Sequence, residues 1–184
     1  MKDAVLRKAM MFQSYNKIAL KGEVVVYGST SMANFPFYEL INKSNLQNAI
    51  YNRSIEGMTV AEARALLDMC VLPLKPKKLF LSLGEIDEDV EVACLEYAEI
   101  LKRVRVMLPD CKVYVIYPLE RDERVRAFNA AIASLCDEKN VIAIRFPGGG
   151  EEASLNYKKR FKILSCFFRD ARPSMSDMFA IADL

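Results

Sequence analysis

Glu23-Val24-Val25-Val26-Tyr27-Gly28-Ser29-Thr30-Ser31-Met32 (EVVVYGSTSM) joins an unbroken apolar run to a glycine and three adjacent hydroxyls. Apolar residues without alternation suit a strand buried on both faces, the condition of a parallel sheet covered by helices. The same signal recurs at 49–54, 78–83, 112–117 and 141–146, each run short, rich in β-branched or aromatic residues and bounded by Gly, Pro or charge. Helical spacing fills the intervals at 35–42, 59–71, 89–107 and 122–138. Strands alternating with helices predict an α/β fold: a doubly wound, five-stranded parallel sheet with helices on both faces. Ligands of such sheets sit beyond the carboxyl ends of the strands, which places Ser29, Thr30 and Ser31 at the mouth of a site.

Length and composition fit one soluble globular domain over 1–184, since 52% of residues are hydrophobic and 27% charged. Residues 1–21 read as an amphipathic helix packed on that domain, too polar to cross a bilayer. Residues 147–160, opened by Gly148-Gly149-Gly150, read as a loop insertion; no Lys-Ser/Thr pair follows the glycines at phosphate-loop spacing. Residues 174–184 read as a final helix after Pro173. A net charge of +2 offers no strong basic excess, so no nucleic-acid partner is expected, and the polarity of residues 1–21 leaves no membrane partner expected either. The five scattered cysteines suggest neither a disulfide framework nor a metal site, and free thiols point to a cytoplasmic protein. No cofactor or metal is expected. The chain contains no histidine, which excludes every Ser-His, Cys-His and His-metal mechanism.

Several blocks in order resemble the SGNH or GDSL hydrolases. They are VYGSTSM (26–32), NRSIEGMT (52–59), KPKKLFLSLGEID (75–87), LPDCKVYVIYP (108–118), AFNAA (127–131) and Arg172-Pro173-Ser174. The resemblance runs from about Gly22 onward. It implies a flavodoxin-like α/β sandwich and, in active members, ester hydrolysis by a serine nucleophile just after the first strand. An oxyanion hole is implied, built from the nucleophile's own N–H, a second-block glycine N–H and a third-block asparagine side chain. A late Asp-x-x-His-Pro segment supplies the base and its orienting acid.

Carried over by position, the nucleophile falls on Thr30, the glycine on Ser54, the asparagine on Ile86, the histidine on Arg172 and the late aspartate on Arg169. None of the four signature residues is kept, although Asp87 is retained after Ile86. An arginine accepts no proton, and isoleucine donates no hydrogen bond. Two functions follow as expectations. In one, the old cleft, with Ser29, Thr30, Ser31, Ser54 and Arg172, binds a small anionic or acylated ligand, or a protein partner, without efficient catalysis. In the other, an altered esterase acts on short acyl esters, with Thr30 or Ser31 attacking and Glu85, Asp87 or Asp170 as base. Simpler roles stand beside these. The three hydroxyls would cap the helix after the first strand; Arg169 or Arg172 would pair with Asp87 or Glu85 and plug the cleft; the acidic run Glu85, Asp87, Glu88, Asp89 would be a solvated loop with Asp87 holding it; and Lys158, Lys159, Arg160 and Lys162 would form a solvated flank.

Overall fold

In the computed structural model, which describes residues 1–42, 46, 48–146 and 156–169, five strands form one parallel sheet. They are β1 (Val24–Gly28), β2 (Ile50–Asn52), β3 (Lys78–Ser82), β4 (Lys112–Ile116) and β5 (Val141–Ile144), in the order β2-β1-β3-β4-β5. Every residue of β1 and β3 is buried, as the apolar runs Val24–Tyr27 and Leu79–Leu81 require. Alternate residues serve opposite cores. Val25, Tyr27, Leu79, Leu81, Val113 and Val115 pack beneath α1 (Asp3–Tyr15), α4 (Val60–Cys70), α5 (Val90–Met107) and α6 (Glu123–Ala133). On the other face, Val24, Val26, Phe80, Tyr114 and Ile116 meet the short helices α2 (Thr30–Ala33) and α3 (Phe37–Ile41) and the last described helix, α7 (Tyr157–Phe168).

Capping fixes where the helices start. Thr59 and Glu62 close a reciprocal capping box on α4, and Asp89 and Asp122 accept N–H groups of the first turns of α5 and α6. The sixth helix stops at Ala133, short of the expected 138. The Asp137 carboxylate collects the N–H groups of Lys139, Asn140 and Val141, which turns the chain into β5 and holds the Asp137 pKa down at about 2.

The expected loop 147–160 is corrected at its end. Asn156 caps α7 by accepting the Lys159 N–H, and Phe161, Ile163, Leu164 and Phe168 supply a buried face. Four cations among the first six helical residues hid that period. Arg160 is not part of a solvated flank: it is 5% exposed, with its guanidinium over the Phe35 and Phe146 rings. The expected helix at 174–184 lies outside the described residues.

Helix α1 does pack on the domain, through Val5, Ala9 and Phe12. Its C-terminal end is pinned by Asn16, whose Nδ2 donates to the Met69 and Cys70 carbonyls and whose Oδ1 accepts from Arg53 Nε at 2.9 Å. Arg53, 6% exposed, lies between the Phe12 and Tyr51 rings. Replacing Arg53 by Ala leaves Asn16 Oδ1 without its donor and removes both ring contacts. A loss of about 2–3 kcal/mol is expected in a urea titration. Arg53→Met, which keeps the apolar stem, is expected to lose less.

Candidate functional site

Beyond the carboxyl ends of β1, β3 and β4 lies a cleft of about 390 Å³. Its first wall follows from close backbone approach. A Cβ on Gly28 would stand 2.6 Å from the Ser82 carbonyl, so only glycine lets β1 and β3 end side by side, and the Ser29 N–H then donates to that carbonyl. This crossing turns Ser29 inward, fully buried, and lifts Thr30 and Ser31 to the cleft surface.

The three hydroxyls do not cap the following helix as expected: no side-chain cap is formed there. The Ser31 N–H instead donates to Glu85 Oε1 at 2.8 Å, so an internal carboxylate serves the first turn of α2. The Thr30 hydroxyl accepts the Gly57 N–H at 3.0 Å. The Gly57 N–H is thereby committed to Thr30, whereas the N–H of Ser54, the expected second-block position, goes to Asn52. Gly57 has φ +69°, a left-handed conformation that aims its amide back at β1. Ser54 is buried behind it, its N–H taken by Asn52 Oδ1, while Asn52 Nδ2 holds the Met32 carbonyl of α2. Ser29 and Ser54 therefore stand behind the cleft rather than lining it; their hydroxyl oxygens have no hydrogen-bond partner among the described residues.

The third block supplies the facing wall. Gly84, at φ +94°, presses against the Phe128 ring and swings Glu85 and Ile86 into the cleft. Asp87 turns away from it. Its Oδ1 accepts the Val60 N–H at 2.9 Å, and burial pushes its carboxyl pKa up, so Asp87 holds the loop against α4 as the simpler reading had it. Asp87, Glu88 and Asp89 line a separate depression, and no group of three or more Cys, Asp or Glu among the described residues is placed to hold a metal ion.

The arginines of the cleft are not those expected. Arg169 ends α7, and its carbonyl, with those of Phe167 and Phe168, accepts from Lys78 Nζ at the N-terminal end of β3, the opposite end of the sheet from Thr30. Asn48, just before β2, also holds the Phe168 carbonyl. Arg169 thus pairs with neither Asp87 nor Glu85; Arg172 and Asp170 lie outside the described residues. Three other guanidiniums reach the cleft: Arg121, Arg124 and Arg160. Arg124 fastens the third block by donating to the Glu85 and Asp87 carbonyls. Burial pulls the Arg160 pKa down, opposed by Tyr157 and by Glu85. Arg121 is exposed and makes no ion pair among the described residues. Sequence reasoning missed Gly57, Arg121, Arg124 and Arg160. Gly57, inside a block already singled out, was the one with a legible signal.

No protein-family model matches the chain, and no curated protein matches it. Solved structures do. A protein from Streptococcus pneumonia, provisionally named a platelet activating factor, superposes with a TM-score of 0.77 at 18% identity, over 90% of this chain and 93% of its own. A GDSL-like lipase from Bacteroides thetaiotaomicron superposes at 0.66 with 13% identity, over 95% and 93%. The psychrotrophic esterase EstA from Pseudoalteromonas sp. does so at 0.59 with 17% identity, over 89% and 97%.

Proposed function

Given a chain with the SGNH/GDSL-hydrolase fold, we propose that it uses the cleft to bind a small anionic or acylated ligand and does not hydrolyse esters efficiently. The observation that carries this reading is the pairing of the Ser31 N–H with Glu85 Oε1, beside Thr30 and Ile86. A carboxylate held 2.8 Å from a backbone N–H of this wall opposes any negative charge developing there. Ile86 adds no donor, and the chain has no imidazole to take a proton from Thr30. What the cleft offers a ligand is a rim of guanidiniums. Arg121 is uncommitted and suits the carboxylate or phosphate end of a ligand, with the apolar surfaces of Leu119 and Ile86 for a short acyl chain.

Thermal shift against phosphate, sulfate, acetate and butyrate tests the anion end. At a ligand concentration ten times Kd the stabilisation is about 1.4 kcal/mol, a rise in Tm of about 3–5 °C. Arg121→Ala, an exposed change that leaves the core intact, is expected to abolish most of that rise. Equal shifts in wild type and Arg121→Ala would remove the anion site from the account.

The Gly57 N–H on the Thr30 hydroxyl favours a second reading, a slow altered esterase in which Thr30 attacks. Glu85 is the carboxylate in the cleft nearest in role to a base; Asp87 is committed to Val60.

A further inference from the structure

Helix α1 and the turn after it carry large apolar side chains that the domain does not cover. Ile18 is 87% exposed, Leu20 64%, Met10 55%, Tyr15 48% and Leu6 39%. Tight local structure holds the turn in place. The Ile18 and Ala19 N–H groups donate to the Tyr15 carbonyl, and the Leu20 N–H donates to the Tyr51 hydroxyl. The exposure is therefore presented by an ordered scaffold. Interleaved with these side chains are Lys2, Arg7, Lys8, Lys17 and Lys21, against the single acid Asp3, while the rest of the chain has a slight acidic excess.

Apolar groups set among cations, in a protein otherwise nearly balanced in charge, match the requirements of an anionic bilayer surface. A second copy of the chain fits poorly, because a two-fold interface through α1 would bring two basic segments together. A folded protein partner is normally read through pockets that receive its anchors, whereas Ile18 and Leu20 project outward from a turn. We infer that the Lys17-Ile18-Ala19-Leu20-Lys21 turn after α1 forms a docking surface for an anionic lipid bilayer. The Lys17 and Lys21 ammoniums meet headgroup phosphates, and Ile18 and Leu20 enter the acyl boundary.

The expectation of no membrane partner rested on the segment being too polar to span. Among the described residues no helix is long and apolar enough to cross a membrane, and lying on one needs only exposed apolar groups among cations, as at Ile18 and Leu20. Lys2 Nζ donates to the Gly57 carbonyl at 2.7 Å, so α1 starts beside the second block, whose Gly57 N–H meets Thr30.

Vesicle co-sedimentation of the full chain tests this. With vesicles of equimolar phosphatidylcholine and phosphatidylglycerol the wild type is expected in the pellet, about tenfold or more above its level with phosphatidylcholine alone, and less so at high salt. Ile18→Asp/Leu20→Asp and Lys17→Glu/Lys21→Glu, all at exposed positions, are each expected to return it to the supernatant with unchanged thermal melts. Arg121→Ala, in the cleft, is expected to sediment like wild type. The proposal is overturned by a wild type that ignores the acidic vesicles, by turn variants that sediment as it does, or by a light-scattering dimer that those variants dissociate.

Discussion

Gly84→Ala is expected to lower the melting temperature by about 10 °C or prevent folding. Two independent costs meet at this position. The backbone sits at φ +94°, and an added Cβ would lie 2.1 Å from Phe128 Cε1, a ring that is fully buried and edge-on to Tyr97. Left-handed backbone costs an L-residue about 1–2 kcal/mol, and forcing volume into a packed core about 1–3 kcal/mol more. At about 2–4 °C per kcal/mol for a chain of this size, the sum gives the stated shift. Gly57→Ala is the contrast. Its φ of +69° carries the first cost, but only Lys2 Nζ, 4.0 Å away, stands near the new methyl, so a loss of about 1 kcal/mol is expected. Adding Phe128→Leu to Gly84→Ala is expected to recover part of the loss, although Phe128→Leu alone destabilises. Simple additivity of the two changes would contradict the steric account.

Esterase turnover on p-nitrophenyl acetate is expected to stay near the buffer rate, about 10⁴-fold or more below that of a hydrolase with an intact nucleophile and base. The largest share of that deficit is the missing base. Loss of one oxyanion donor at Ile86 adds roughly 3 kcal/mol, and the Glu85 carboxylate on the Ser31 N–H opposes charge build-up further. Because these losses are not additive, no single reversion is expected to restore activity. Ile86→Asn replaces a donor but leaves Thr30 without a proton acceptor, and Glu85→Gln removes a repulsive charge along with the cleft's candidate base.

Strand positions were legible because burial on both faces forces an apolar run, and the run in β1 is complete. Their ends came within a residue or two, as at Gly28, which closes β1. Helix α7 was hidden because cations at Lys158, Lys159, Arg160 and Lys162 break the apolar period, while one of them, Arg160, is buried with its guanidinium over two aromatic rings. At the site, sequence order placed Thr30 correctly at the end of β1. Spacing within the second block did not say which N–H would point back at it, since that depends on the positive φ of Gly57. Nor could spacing say at which end of the sheet Arg169 lies; three helix-end carbonyls on Lys78 settle that. Arg121 and Arg124 reach the cleft only because the segment after β4 folds over it, a tertiary fact with no local signature.

Under the proposed function Thr30, at the end of β1, has no nucleophile's chemistry. The most direct measurement of this is the steady-state rate on p-nitrophenyl acetate and p-nitrophenyl butyrate, with wild type and Thr30→Ala purified side by side. Two indistinguishable rates near the buffer rate are expected, with both proteins folded by circular dichroism. Turnover well above buffer in the wild type that disappears in Thr30→Ala would contradict the proposed function, and would make the altered esterase the correct reading.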